Sequence, residues 1–272
     1  MHQRERTLNR TAVHRPIRIL GLIFVAVFAC QSATAQKRYA ITDIGALDPS
    51  SYANAINNQG QVVGGAYTNT GDSSIPHAFF YSGGKVLDLG TLGGPASGAW
   101  GINKAAQIVG DAQITPGDLF GAHHAFLYSN GRMHDLGTLG GSNSFASGIN
   151  NLDQIVGEAQ IIGDSTYHAF LYRRGKMLDL GTLAGSSSLA LGINNLGDIV
   201  GESAIPSSNF ATHAFRYSDG KMKDLNELLA PNSGWILASA DGINARGQIV
   251  GYGFGPLPNG PHAFLLTPVK EQ

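Results

Sequence analysis

The chain repeats itself five times. The triplet His-Ala-Phe begins at His77, His124, His168, His213 and His262, with steps of 47, 44, 45 and 49 residues. The asparagine of a Gly-Ile-Asn or Ala-Ile-Asn triplet falls at Asn57, Asn103, Asn150, Asn194 and Asn244, with steps of 46, 47, 44 and 50. A period of about 40–50 residues marks an array of supersecondary units, none of which can bury its apolar face alone. The units must therefore pack on one another. Residues that stay the same in every copy serve that packing first.

Each copy reads as four short strands. The first is small and mildly polar, as in Ser144 to Asn150. A tight turn follows, Asn-x-x-Gly at Asn57–Gly60, Asn194–Gly197 and Asn244–Gly247. Asn and Gly accept positive φ, so this is hairpin chemistry. The second strand is Gln-Ile-Val-Gly or a near copy, and its β-branched pair suits burial on both faces. The third is His-Ala-Phe-Leu-Tyr. A second tight turn leads to the fourth, Lys-Met-Leu-Asp-Leu-Gly and its relatives, whose aspartates are Asp43, Asp88, Asp135, Asp179 and Asp224. Past the first 35 residues no window has helical spacing, although Leu225 to Leu229 predicts a single helical turn. The two tight turns fall at one end of each unit. The loops between second and third strands, at the other end, vary in length and chemistry, and binding residues concentrate on such loops.

The ends of the repeat region match. The fifth copy stops after its third strand, His262 to Thr267, while residues 38–45 carry a fourth strand with no copy of its own. The predicted fold is all-β: a closed five-bladed β-propeller of four-stranded repeats, with the N-terminal strand completing the last blade. The blades span residues 50–92, 93–139, 140–183, 184–228, and 229–268 with 38–45. Closure removes the strand edges that an open array leaves exposed. A solenoid would need polar caps at both ends, and the sequence has none.

Residues 1–35 stand apart. Five arginines precede the apolar run Ile19 to Cys30, and Ala33-Thr34-Ala35 forms an A-x-A site. This pattern predicts a secretory signal peptide cleaved near Ala35, leaving residues 36–272 as one exported domain. The apolar run is too short to span a bilayer, so no transmembrane segment is expected in the mature chain. A lipid anchor on Cys30 is the rival reading, disfavoured by the bulky Phe28 just before it. Cys30 is the only cysteine, so the domain must be stable without disulfides. Past residue 35, thirteen basic and eighteen acidic side chains remain. That balance argues against nucleic acid as a partner and gives no reason to expect an anionic membrane surface.

The repeated histidines invite a metal reading. One histidine at the same place in each unit is kept far from its copies, so these five read as structural hydrogen-bond partners. His123 and His134 lie outside the repeat position and are too few for a zinc site. The repeated aspartates read as acceptors at Gly turns and the repeated asparagines as turn residues. Asp111, Glu158 and Glu202 follow Ile-Val-Gly in the three central copies, where the outer copies have Gly65 and Tyr252. They are weak catalytic candidates, because glycoside hydrolysis needs a carboxylate pair. The competing reading is three separate solvated acids at strand ends. Asp118 and Asp164 are weak calcium candidates without a dense acidic loop. No cofactor motif occurs, and no cofactor is expected. Tyr67, Phe120, Tyr167, Phe210 and Phe254 lie in or beside the varied loops, where they either stack on a ligand or cover the ends of the core.

The recurring string HAFLY, GKMxDLGTLGG and GINNxGQIVG resembles the HAF-repeat family of bacterial extracellular repeat proteins. The resemblance covers residues 40 to 267 and implies export and a repeated β fold, but no particular activity. It departs from the pattern at Asp224-Leu225-Asn226 and through Trp235 to Ala240. The expectation is an exported, non-enzymatic binding or interaction module whose partner is an extracellular protein or glycan. The alternatives are a glycan-active hydrolase and a structural cell-surface repeat protein.

Overall fold

The computed structural model describes residues 40–44, 50–67, 75–118, 120–206, 212–256 and 260–269. The chain divides into residues 1–42 and a compact unit of residues 43–272, and every strand among the described residues belongs to the second. That unit is all-β, as expected. Its strands form five antiparallel sheets, each ordered as in the sequence. The first sheet holds β1 (Ser51–Ile56), β2 (Val62–Tyr67), β3 (Pro76–Ser82) and β4 (Lys85–Asp88). The second holds β5 (Ser97–Ile102), β6 (Ile108–Gln113), β7 (His123–Ser129) and β8 (Arg132–Asp135). The third holds β9 (Gly140–Ile149), β10 (Ile155–Ile161), β11 (Tyr167–Arg173) and β12 (Lys176–Asp179). The fourth holds β13 (Ser188–Ile193), β14 (Ile199–Ala204), β15 (Thr212–Ser218) and β16 (Lys221–Asp224). The fifth holds β17 (Ile236–Ile243), β18 (Ile249–Phe254) and β19 (His262–Leu266). The helical turn expected near Leu225 is a 3-10 turn, Leu225–Leu228, with the Asp224 carboxylate accepting from the Asn226 N–H.

Each sheet carries the same irregularity. The first strand bulges by one residue opposite the second, at Asn54, Trp100, Ser147, Leu191 and Asp241. The partner strand answers with the glycine of Ile-Val-Gly. A Cβ on Gly64, Gly110, Gly157, Gly201 or Gly251 would overlap a carbonyl oxygen of the bulged strand. This glycine is fixed by close backbone approach and not by a positive φ.

Among the described residues, four hydrophobic cores lie between consecutive sheets. In the first of them, Val63 and Ala78 of the first sheet meet Ala99, Ile108 and Phe126 of the second. Phe170 and Phe215 fill the same place in the next two cores. Burial of one such side chain contributes roughly 1.5–3 kcal/mol, so the sheets are held together mainly by a repeated Phe against Val and Ala.

Polar stitching runs parallel to the cores. The Nδ2 of Asn57 donates to the carbonyl of Asn103 at 3.0 Å, Asn103 to Asn150 at 3.2 Å, Asn150 to Asn194 at 2.9 Å, and Asn194 to Asn244 at 3.1 Å. Each asparagine Oδ1 also accepts two backbone N–H groups of its own turn, as Asn150 does from Leu152 and Gln154. The repeated asparagines thus join neighbouring sheets as well as building turns.

Two expectations are corrected. Residues 40–44, read as part of the N-terminal strand, form no strand, and Ile41 is 99% exposed. Tyr39 and Gly45 lie outside the described residues. Among the described residues the fifth sheet has three strands and not four. A single apolar face on a short segment gains little unless it finds a partner, and Ile41 has not found one. The departures near residue 225 also have a cause. In earlier junctions a serine of the next sheet, such as Ser188, accepts from the Ala169 N–H and donates to the Gly181 carbonyl. At the fourth junction the Asn226 amide takes over, accepting from the Leu237 N–H and donating to the Leu237 carbonyl.

Candidate functional site

The four complete sheets pair the repeated histidine with the repeated aspartate eleven residues later. His77 meets Asp88 at 2.9 Å, His124 Asp135 at 2.8 Å, His168 Asp179 at 2.9 Å and His213 Asp224 at 2.5 Å. Both groups were expected to be structural, and in these sheets they bond to each other. The constant spacing was the overlooked signal. Each aspartate also accepts a backbone N–H at its turn, as Asp88 does from Gly90. The bond to Asp88 raises His77 above its ordinary value despite partial burial. Burial pushes Asp88 up, but the bonds from His77 and the Gly90 N–H outweigh it and hold the carboxyl down. The Nε2 of His262 is buried without a hydrogen bond.

Two cavities are lined by residues of all five sheets. One, of about 300 Å³, lies at the tight turns among Ile56, Ile102, Ile149 and Ile193 with the asparagines that follow them, and Ile243 with Ala245. The other, of about 610 Å³, takes one bulge residue from each sheet: Asn54, Trp100, Ser147, Leu191 and Asp241. Bulges re-aim side chains, and here all five are aimed into a common space. Asp111, Phe145, Glu158 and Leu189 complete much of its wall.

The acids in this wall are not free surface groups. Asp111 is 8% exposed, which overturns its reading as a solvated acid. Its carboxylate accepts from Trp100 Nε1 at 2.6 Å and sits 2.7 Å from His123 Nδ1. His123 stacks on Phe145 at 5.6 Å, and Phe145 lies 6.1 Å from Tyr167. His123 therefore has a role that its position outside the repeat did not reveal. Glu158 is pushed up to about 7 by burial and then by the nearby charge of Glu202. Glu202 is raised by burial and by Asp241, against a bond from Ser239 that lowers it. Glu158 and Glu202 share a second, smaller cavity of about 100 Å³. Burial followed by the Glu202 and Asp241 charges raises Tyr252, and burial followed by Glu158 and Asp164 raises Tyr167. The structure thus gathers Asp111, Glu158 and Glu202 into adjoining cavities and adds Asp241.

Other candidates go elsewhere. Asp118 accepts from the Phe120 N–H, and Asp164 accepts from the Ser142 backbone N–H and hydroxyl. Asp118 is a local turn acceptor, whereas Asp164 ties its loop to β9, 22 residues earlier. Among the described residues, no group of three or more His, Cys, Asp or Glu is placed to hold a metal ion. Phe120 and Phe254 are exposed, Tyr167 belongs to the stack beside the cavity, and Phe210 lies outside the described residues. Trp100, Asn54 and Asp241 escaped the sequence reading. Their signal was an unfilled position in the otherwise constant Ala-x-Gly-Ile-Asn. Among the described residues, no helix is long and apolar enough to cross a membrane. No family model matches the chain, and the comparison with curated proteins returned no match.

Proposed function

We propose that this chain is an exported five-bladed β-propeller that binds glycans in the cavity lined by its five bulge residues. The observation that carries the reading is that the cavity collects, from every sheet, the position at which the copies differ. A cavity of about 610 Å³ falls in the size range of small-ligand sites. Its wall alternates aromatic and aliphatic surface with carboxylates. Ring faces suit the C–H side of a sugar, and carboxylates accept from its hydroxyls. The resemblance to HAF repeats and the signal-like N-terminus support export. A lining shared by five sheets, with asparagine joints between consecutive sheets, supports the propeller.

A second reading, glycoside hydrolysis, is favoured by one observation. Asp111 and Glu158 line the same cavity, and Glu158, pushed to about 7, can hold a proton near neutral pH as a general acid. Asp111, held by Trp100 and His123, would serve as base or nucleophile. A glycan array combined with a hydrolysis screen separates the two. Binding without turnover, lost in Trp100→Ala and kept in Glu158→Gln, is the result expected of a binding module. Turnover abolished by Glu158→Gln would assign the hydrolase. Glycan binding that Trp100→Ala leaves intact would remove the cavity from both readings.

A further inference from the structure

The net negative charge conceals a separation of charge along the sheets. Every lysine and arginine among the described residues lies in the half that holds the two tight turns. Lys85 belongs to the first sheet, Lys104 and Arg132 to the second, and Arg173, Arg174 and Lys176 to the third. The fourth adds Arg216, Lys221 and Lys223, and the fifth Arg246. Four carboxylates share that half: Asp153, Asp198, Asp219 and, at its inner edge, Asp241. Arg216 pairs with Asp198 at 2.8 Å, and among the described residues no other lysine or arginine is in an ion pair. The opposite half holds the remaining described acids of the sheets, including Asp111, Glu158 and Glu202, and no described lysine or arginine. All five asparagine turns border one cavity, so the cations of the five sheets share one end of the unit.

Apolar tips project among these charges. Leu152 and Leu196, in the asparagine turns of the third and fourth sheets, are 63% and 72% exposed. Leu152 lines a surface hollow with Arg173 and Arg174. A leucine at a turn tip gains nothing from water, whereas cations without partners gain from anions. The two together match the headgroup layer of a bilayer, where phosphates lie outside an apolar interior.

We propose that the tight-turn end docks on an anionic phospholipid surface. Arg173, Arg174, Lys176 and their neighbours meet the phosphates, while Leu152 and Leu196 enter the headgroup layer. This proposal does not depend on what the cavity binds.

Vesicle sedimentation of residues 43–272, the unit that contains all four cores, provides the test. Binding to vesicles containing phosphatidylglycerol is expected, with none to pure phosphatidylcholine and a steep loss as salt rises. The triple variant Arg173→Gln, Arg174→Gln, Lys176→Gln should bind about 100-fold more weakly, from roughly 1 kcal/mol per removed charge. Leu152→Ser with Leu196→Ser should weaken vesicle binding several-fold and leave binding to soluble dextran sulfate unchanged. Melting curves confirm that the variants fold, and Lys104→Gln with Arg132→Gln provides a second charge-removing pair on another sheet. Equal partition onto both vesicle types, no partition at low salt, or full binding by both charge-removing variants would overturn the proposal. Vesicle binding that the leucine changes leave untouched would also overturn it, and would assign the face to a soluble polyanion.

Discussion

The two cavities shared by the five sheets are built on opposite rules. At the tight turns the lining is nearly the same from every sheet, an isoleucine and an asparagine. At the bulges no two sheets contribute the same residue: asparagine, tryptophan, serine, leucine and aspartate. The difference follows from what the backbone demands. At the turns, the asparagine amide and carbonyl are committed to their own turn and to the neighbouring sheet. At the bulges, the backbone irregularity is fixed by the opposing glycine, and the side chain is left out of the pairing. Chemistry can therefore change at the second cavity while the sheets remain as they are. The turn cavity has no such freedom.

The comparison is tested most severely at Asn150, which is 4% exposed and makes four hydrogen bonds through its amide. Asn150→Ala should cost about 3 kcal/mol or more in urea denaturation, because several buried partners lose their bonds at once. A cost below about 0.5 kcal/mol, ordinary for a surface change, would show that the joint between sheets is not made by this residue.

A smaller effect of opposite sign is expected at the bulge cavity. Glu158 is pushed from an ordinary 4.5 to about 7. A carboxyl raised in the native state costs stability as pH climbs from its unfolded value through the native one. Glu158→Gln removes that cost. It should stabilise the protein at pH 8, by on the order of 2 kcal/mol, and change little at pH 5. Thermal melts at the two pH values provide the check, and an equal shift at both would rule out the buried charge as the cause.

The smallest effect belongs to the histidine–aspartate pairs, which are partly solvated. His168→Ala should cost about 1 kcal/mol, since Asp179 stays accessible to water and keeps its bond from the Gly181 N–H. Stability that is unchanged, together with loss of a bound metal on dialysis, would revive the ligand reading.

The four-strand repeat, both turns and the 3-10 turn were legible because each leaves a local mark: β-branched pairs, Asn-x-x-Gly, Asp before Asn226. The cavity was not legible from any single copy. Asp111 reads as a strand-end acid until Trp100 and His123, from two other strands of its sheet, close on it. The raised Glu158 depends on its burial and then on Glu202 in the next sheet. The expected N-terminal strand failed for a related reason. Matching Thr42-Asp43-Ile44-Gly45 to the Asp-Leu-Gly strands established likeness of sequence, but a strand forms only where another strand receives it. Net charge carried no trace of the sorting of charge along the sheets, because it sums over both ends of them.

The asparagine joint has a direction. In each of the four joints the earlier sheet gives the side-chain donor and the later sheet the carbonyl acceptor. The unit is therefore polar, like a tile with a tongue on one side and a slot on the other. A copy inserted by gene duplication would bring both halves of the joint with it, and excision of a copy would leave matching halves facing each other. The number of units in such a chain can change by recombination without inventing a new interface. Each new unit also adds one bulge residue, and with it one more side chain to the wall of the cavity.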